Sequence, residues 1–205
     1  MSTHRTRAMA AVAAVALLTL TACGSAPGSS APTSVALTTA PAPEGRVIAT
    51  GTVIDGPEGA ELCLGAIAES YPPQCQGVPL DGWSWQGVDG SETSGDTTWG
   101  AYAVYGLFDG ERLEVTDPPI MLALYDPIRP EDPTGGRDGA TTEAELTRIQ
   151  DELASRLHAE ATSIWTERGY VWVGVPWDDG TLQDAVDSAY GEDVVIVTSM
   201  FRAAD

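Results

Sequence analysis

Short apolar runs separated by turn residues fill the chain between 46 and 125, and this pattern is typical of β-strands. The Asp109-Gly110 pair lies between two of these runs, and Asp-Gly between alternating segments is the strongest short signal for a hairpin. About five strands in this stretch predict a small β-barrel or sandwich. The main candidate strands are 46–54, 60–65, 99–108 and 111–116.

The pattern changes to a helical period after residue 140. Thr142 followed by Glu145 forms a capping box, which predicts the start of a helix that runs to about His158. Apolar residues recur at helical spacing along this segment, at Leu146, Ile149, Leu153 and Leu157. We therefore expect an amphipathic helix with one face on a sheet.

The segments that follow this helix predict three more strands. Residues 161–167 and 170–175 indicate a hairpin around Gly169. Residues 193–199 form a continuous apolar run of the kind expected for a central strand.

A second helix is predicted at 181–190, with Asp184 placed for a capping box and Gly191 as a left-handed stop. The resulting order of helix, strand, strand, helix, strand predicts an α+β layer over 141–205, with both helices on one face of the sheet. This order is similar to part of a ferredoxin-like fold and, loosely, to prodomains of secreted bacterial serine proteases.

The two predicted domains, β-rich 46–125 and α+β 141–205, are separated by a segment of proline, glycine and charge at 126–140. It contains three prolines and three glycines, so it predicts a linker rather than a helix or a strand.

The amino terminus has the three-part pattern of an export signal. His4, Arg5 and Arg7 form a short cationic region, and an uncharged apolar run follows from Ala8 to Leu20. As a helix this run would reach only about 20 Å, which is short of the ~30 Å hydrocarbon core. Residues 1–22 are therefore predicted to be a signal peptide rather than a permanent transmembrane anchor.

The segment Leu20-Thr21-Ala22-Cys23-Gly24 resembles the lipobox of bacterial lipoproteins. This resemblance implies cleavage before Cys23, a diacylglycerol on the Cys23 thiol and an acyl chain such as palmitate on the new amino terminus. Two or three acyl chains hold a protein stably on a membrane. The alternative is an ordinary secretory signal peptide that is cleaved elsewhere.

Residues 23–45 are predicted to be a lipidated, flexible tether. Beyond Cys23 they consist almost entirely of Ala, Pro, Ser, Thr and Gly, which cannot bury enough apolar surface to fold. Such a segment resembles the linkers of lipoproteins from high-GC Gram-positive bacteria.

The two remaining cysteines, Cys63 and Cys75, form an even pair in an exported and therefore oxidising setting. A disulfide is the default prediction. A redox or metal-binding thiol pair is the alternative, although the spacing matches no CxxC motif.

Three short motifs resemble those of a recurring type of uncharacterised exported actinobacterial protein. They are ELCLG at 61–65, PPQC at 72–75 and GWSW at 82–85. The resemblance implies a fold but no activity.

Charge narrows the classes of partner. The chain has 30 acidic and 10 basic residues, for a net charge of -20, and all ten basic residues are arginine. A Schiff-base lysine, a P-loop lysine and a kinase lysine are excluded because the chain has no lysine. Nucleic acid is also excluded as a partner, because phosphate binding needs clustered basic charge.

Catalytic chemistry has few candidates. His158, the single histidine of the predicted mature chain, lies at a helix end, where it favours a capping role over catalysis. No GxSxG motif accompanies it, so we predict no catalytic triad. Zinc is also disfavoured, and we assign no cofactor and no metal.

Carboxylates are the remaining candidates for calcium binding or acid/base chemistry. One group, Asp55, Glu58 and Glu61, surrounds a glycine-rich turn, and Asp178 with Asp179 precedes a helix. A solvated turn and favourable helix N-terminal charges are the preferred interpretations.

Trp83, Trp85 and Trp99 flank a polar loop at 87–95 and are candidate ligand-binding residues. The alternation in Trp83-Ser84-Trp85 equally places both rings in a core.

The sequence thus predicts a lipid-anchored protein on the extracytoplasmic face of the cell membrane. A non-enzymatic role in binding an unknown protein, a wall polymer or a cation is the first hypothesis. The alternatives are a carboxylate-dependent glycan hydrolase, or an inhibitor or chaperone-like module for a secreted protease.

Overall fold

The computed structural model describes residues 36–127 and 130–204, and within them a mixed α+β fold that is mostly β. The predicted signal peptide, Cys23 and the first part of the predicted tether lie outside the described residues. No helix in the described ranges is long and apolar enough to cross a bilayer.

A closed five-stranded barrel occupies the first part. The strands of this part are β1 (Arg46–Gly56), β2 (Gly59–Cys63), β3 (Val78–Asp81), β4 (Glu92–Ser94), β5 (Thr97–Phe108), β6 (Leu113–Val115) and β7 (Ile120–Met121). The barrel wall runs in the order β1, β2, β3, β6, β5, and it is closed by the pairing of β5 with β1. In chain order β5 is the fourth strand of the barrel, and it lies beside the first, β1, which is the Greek-key arrangement.

The two longest strands, β1 and β5, carry alternating apolar residues that fill the barrel interior. β1 and β5 pair antiparallel over ten residues, from Arg46 opposite Leu107 to Asp55 opposite Thr98. Every second side chain of each strand points inward, and the interior is filled rather than open. The buried core cluster of this part is Val47, Ala49, Val53, Leu62, Val78, Leu80, Tyr102, Val104, Phe108, Leu113 and Phe201.

The second part contains two helices and a three-stranded sheet. Its elements are α1 (Glu143–Leu157), β8 (Ser163–Glu167), β9 (Tyr170–Val175), α2 (Thr181–Tyr190), β10 (Val195–Ser199) and β11 (Arg202–Ala203). In the sheet, β9 is central, β8 pairs antiparallel with one of its edges and β10 pairs parallel with the other. The parallel pair needs a crossover connection, and α2 supplies it.

Both helices bury an apolar face against this sheet. Val171, Val173 and Val175 on β9 belong to one buried cluster with residues of α1 and α2. The α1 residues in that cluster are Leu146, Ile149, Leu153 and Leu157. The prediction of an α+β fold with a β-rich barrel and a disulfide is confirmed.

The helix ends follow hydrogen-bonding groups in the sequence. Thr142 caps α1 and accepts a hydrogen bond from the Glu145 backbone N–H. The predicted capping box at Asp184 is wrong, because Gly180 is the N-cap of α2 and it has no side chain to contribute. The predicted left-handed stop at Gly191 is also wrong, since that residue has φ 97° with ψ 153°. Its φ is positive, but its ψ is extended.

The carboxyl terminus returns to the barrel. β11 pairs with the first half of β1, at Val47 and Ile48, where β2 does not reach. Just before β11, the fully buried Phe201 packs against Phe108, with ring centroids 4.8 Å apart and planes tilted by 41°. Residues Ser34–Asp205 accordingly form one compact unit.

The predicted linker at 126–140 is fixed to the β8–β9 turn in its described portion. Arg168 donates hydrogen bonds to the carboxylates of Asp132 and Asp138, at 3.2 and 3.0 Å. Gly139 lies so close to Gly169 that a Cβ on either would collide with the other's backbone. A glycine is therefore required at both positions.

Residues 36–45, the described end of the predicted tether, lie against the folded unit, and we call them the strap. Leu37 is half-buried and packs against the cluster of α1, α2 and β9. From Leu37 onward, the described residues of the predicted tether therefore contact the folded unit.

Candidate functional site

A disulfide-closed loop stands on the outside of the barrel. Cys63 at the end of β2 is bonded to Cys75, with Cα atoms 5.9 Å apart, as predicted. Inside the loop an antiparallel bridge joins Ala68 to Gln74. The Ser70 hydroxyl also donates to the Pro72 carbonyl at 2.9 Å. These cross-links hold the tip of the loop in one conformation.

Tyr71 lies at the tip of this loop and is the most exposed aromatic residue among those described, with 73% of its surface accessible. Its ring meets Trp99 edge to face, with centroids 5.4 Å apart and planes at 88°. Trp99 is on β5, opposite Ile54 of β1. The Tyr71 ring is therefore exposed to solvent on one side and contacts Trp99 of the barrel wall on the other.

A cleft of 670 Å³ adjoins this loop, and we call it the barrel cleft. The turn between β1 and β2 forms one wall, and Pro72 to Cys75 form another. The side chains that can hydrogen bond along it belong to Glu58, Glu61, Gln74, Thr97 and Arg112.

Two of these polar side chains already form hydrogen bonds within the folded unit. Glu61 accepts a hydrogen bond from the Gly77 backbone N–H at 2.9 Å. Arg112 forms a two-pronged ion pair with Asp81, and its hydrogen bond lowers the pKa of that carboxyl. Glu58 and Gln74 are exposed, so their polar groups face solvent at the cleft.

Trp83 and Trp85 lie at a different place from Trp99. Their rings are 5.1 Å apart and both pack on Tyr102 inside the end of the barrel. The indole N–H of Trp85 donates to the Asp55 carboxylate at 2.8 Å. Of the three tryptophans that we considered for ligand binding, only Trp99 lies beside the exposed loop.

Four of the five carboxylates that are candidates for calcium or acid/base chemistry form hydrogen bonds within the fold, whereas Glu58 is exposed at the cleft. Asp55 accepts from Trp85 and Glu61 accepts from Gly77. In the first turn of α2, Asp178 accepts from the Leu182 N–H and Asp179 from the Thr181 N–H. Hydrogen bonds from the Thr181 side chain and backbone lower the pKa of Asp179. No group of three or more potential metal ligands occurs in the described part of the chain.

His158 is the C-cap of α1 and is exposed, with φ 43°. Its position at the helix end is the one expected from the sequence. No hydrogen bond of the described residues joins it to a carboxylate or a hydroxyl, so the geometry supplies no partner for nucleophilic catalysis.

Comparison of the chain with protein-family models, with curated proteins and with solved structures gives no match. The site must therefore be interpreted from its own chemistry.

Tyr71 was missing from the candidate residues chosen from sequence. It lies between a disulfide-bonded cysteine pair and directly before two prolines, and this context restricts both the loop and the ring. An aromatic residue in such a rigid, polar loop is the signal that could have identified it.

Proposed function

We propose that this protein is a membrane-anchored extracytoplasmic lipoprotein that binds a hydroxyl-rich wall polymer without chemically altering it. The proposed binding surface is the barrel cleft together with Tyr71, which precedes the lining residue Pro72 at the edge of the cleft and serves as the anchor residue. The observation that carries this proposal is the exposed ring of Tyr71, held on Trp99 by a disulfide-closed loop.

The chemistry of the cleft suits a sugar polymer. An aromatic face packs against the apolar C–H face of a sugar ring, while carboxylate and amide groups hydrogen bond its hydroxyls. Glu58 and Gln74 supply such groups in the cleft, which is also lined by Pro72, the residue after Tyr71. Because the loop is braced before ligand arrives, little conformational entropy is lost on binding.

The barrel architecture favours the same surface by analogy. Five-stranded Greek-key barrels of the OB type bind oligonucleotides and oligosaccharides on the face of their second and third strands and on adjoining loops. The barrel cleft is lined by β2, by β3 and by the turn between β1 and β2. The excess of acidic residues disfavours the oligonucleotide.

Charge also supports a location away from the lipid headgroups. If cleavage occurs before Cys23, the mature chain carries eight arginines against thirty acidic residues, for a net charge of -22. An anionic membrane repels such a domain, so its cleft faces the wall.

The α+β layer over 141–205 is proposed to support the barrel rather than to act by itself. It contributes Phe201 to the barrel core and β11 to the barrel wall. An inhibitor or chaperone role for this layer stays an alternative, and no contact in it favours that role.

A glycan hydrolase has less support. Such enzymes need one carboxylic acid with a raised pKa beside a second carboxylate. Every described carboxylate with a resolved shift has a lowered pKa instead, because it accepts hydrogen bonds or faces an arginine.

Binding can be tested by co-sedimentation of the detergent-solubilised protein with purified, protein-free cell wall. Tyr71→Ala is expected to lower the bound fraction at least tenfold, as for a central aromatic anchor residue. Leu124→Ala is the matched control, because Leu124 is 77% exposed and belongs neither to the cleft nor to the disulfide-closed loop. Equal sedimentation of the two variants, or release of reducing sugar from the wall, contradicts the proposal.

The anchor needs a separate test. Cys23→Ala is expected to move the protein from the membrane fraction to the medium or the soluble extracytoplasmic fraction. Retention of the variant in washed membranes would contradict lipid anchoring but would leave the wall-binding result intact.

A further inference from the structure

A second cleft lies beneath the strap, between the barrel and the α+β layer. Its fixed side is lined by Val78 and Phe108 of the barrel and by Val175, Pro176 and Trp177 after β9. Thr39 to Ala42 of the strap form the opposite side. The cleft has a volume of 420 Å³, and we call it the strap cleft. It lies within the usual size range of ligand pockets.

The fixed side of the strap cleft is firmly built. Phe108 is buried against Phe201, and Trp177 packs on the barrel core cluster. Backbone N–H groups of Met200 and Phe201 donate to the carbonyls of Val175 and Pro176, each at 2.9 Å. The residues of this side are therefore held by contacts in which the strap takes no part.

The strap is held much more weakly. None of the hydrogen bonds among the described residues involves residues 36–45. Leu37 is the one large apolar residue of the strap, and it is only half-buried. The strap can therefore leave without breaking any strand pairing or ion pair of the described part.

The strap also shows which chemistry fits the strap cleft. Its sequence from Leu37 to Pro43 is Leu-Thr-Thr-Ala-Pro-Ala-Pro, which has no charge and forms neither a helix nor a strand. Grooves lined by aromatic residues recognise extended proline-containing segments, which lose little entropy on binding. Trp177 and Phe108 supply the aromatic lining here.

We propose that the strap cleft is a binding groove for an extended, uncharged, proline-containing segment of a partner protein, and that the strap competes with that segment. The strap leads back toward Cys23, so a pull on this segment uncovers the groove. A bound partner segment, in turn, releases the strap and lengthens the connection to the anchor.

The test uses a fluorescently labelled peptide with the sequence of residues 37–43 and the detergent-solubilised full chain. Leu37→Asp replaces the buried strap contact by a charge and is expected to bind the peptide about fivefold more tightly than the wild type. The apparent affinity rises in proportion to the fraction of molecules with an open groove. Thr38→Asp adds the same charge at an exposed strap position and should bind like the wild type.

A third variant locates the binding site. Ala159 is exposed and lines the strap cleft, so Ala159→Trp fills the groove without altering a buried residue. Combined with Leu37→Asp, it should abolish peptide binding, whereas Tyr71→Ala in the same background should leave it unchanged. The proposal is overturned if Leu37→Asp binds no more tightly than Thr38→Asp, or if Ala159→Trp has no effect. A peptide with both prolines replaced by glycine should bind more weakly, and equal binding also counts against the groove.

Discussion

The indole N–H of Trp85 donates a hydrogen bond to the Asp55 carboxylate at 2.8 Å, and this pair closes one end of the barrel. Trp85 belongs to the loop that follows β3, whereas Asp55 lies near the end of β1. The contact therefore fixes a loop that carries two tryptophans onto the barrel core.

Asp55→Ala is expected to destabilise the protein by about 2 kcal/mol, because it leaves a partly buried indole N–H without an acceptor. Asp55→Asn keeps an acceptor oxygen and should cost less. Chemical denaturation followed by tryptophan fluorescence measures both. The double variant Asp55→Ala/Trp85→Phe should cost less than the sum of its single changes. Strict additivity would show that the two residues do not interact.

Phe201→Ala is expected to destabilise the fold by about 3–5 kcal/mol, since it empties a fully buried aromatic position in the barrel. Urea unfolding provides the measurement. Leu107→Ala removes a 43% exposed side chain from β5 and serves as the control, with an expected cost below about 1 kcal/mol. If the two variants lose similar stability, the carboxyl-terminal residues are not part of the barrel core.

Removal of the disulfide by Cys63→Ala/Cys75→Ala should lower the free energy of unfolding by about 3 kcal/mol, as the chain-entropy relation gives for a loop of this length. Tyr71 should then lose its fixed position, so wall binding should fall more than in the oxidised protein at equal folded fraction. Equal wall binding by the folded variant would show that the disulfide is not needed to hold Tyr71 in its binding position. Cys23→Ala leaves the disulfide intact and should unfold like the wild type.

Asp132 links stability to acidic pH. Hydrogen bonds from the Thr134 side chain and backbone lower its pKa from 3.8 to about 2, with a further contribution from Arg168. A carboxyl with a lowered pKa in the folded state stabilises that state above the unfolded value, and the effect is lost as pH falls toward the folded value. The stability difference between wild type and Asp132→Asn should therefore shrink between pH 4 and pH 2.

Urea unfolding at a series of pH values between 7 and 2 measures this difference. Gln86→Ala changes no titratable group at an exposed loop position, and its stability difference from the wild type is the control, which should stay constant over this range. A constant difference between wild type and Asp132→Asn over this range would mean that the contacts of Asp132 do not favour its charged form.

Gln183 covers the free edge of the small sheet. Its side-chain amide donates to the Val195 carbonyl at 2.9 Å and accepts from the Val197 N–H at 2.8 Å, so it satisfies the outer edge of β10. Gln183→Ala should cost about 1–3 kcal/mol and expose an edge on which a second copy can pair. Sedimentation velocity should then detect dimers that Gln86→Ala, at an exposed loop position, does not form. A monomeric variant of unchanged stability would contradict this role.

Local signals in the sequence were sufficient for the elements whose contacts are close along the chain. Thr142 and Glu145 identified the start of α1 because a helix cap involves neighbouring residues. Asp109-Gly110 identified the turn between β5 and β6 for the same reason. The disulfide followed from an even cysteine pair in a chain with a predicted export signal.

Features that depend on distant contacts could not be predicted in this way. β3 is only four residues long and contains Pro79, so it lacks the length and the pattern of a strand. β11 is a strand only because β1 lies beside it. Leu37 stands alone in a polar, low-complexity segment, and its partners are more than one hundred residues away in the sequence.

In the candidate site, too, neighbouring residues along the chain indicate some features, whereas others depend on distant contacts. Alternation in Trp83-Ser84-Trp85 indicates that both rings share a side but not which side, and only the barrel around Tyr102 determines it. The position of Tyr71 between two cysteines and before two prolines is a signal in the sequence, but its exposure and its contact with Trp99 depend on the fold.

The pairing of β11 with β1 also bears on how the protein reaches its native state. The Ala204 N–H donates to the Arg46 carbonyl at 2.8 Å, so the first strand is completed by almost the last residues of the chain. Contacts between such distant segments form late in folding, because most of the chain must be ordered to bring them together. If the protein is exported from its amino terminus, as we propose, the barrel cannot be completed until residues 202–204 have crossed the membrane, so the chain stays incompletely folded until then.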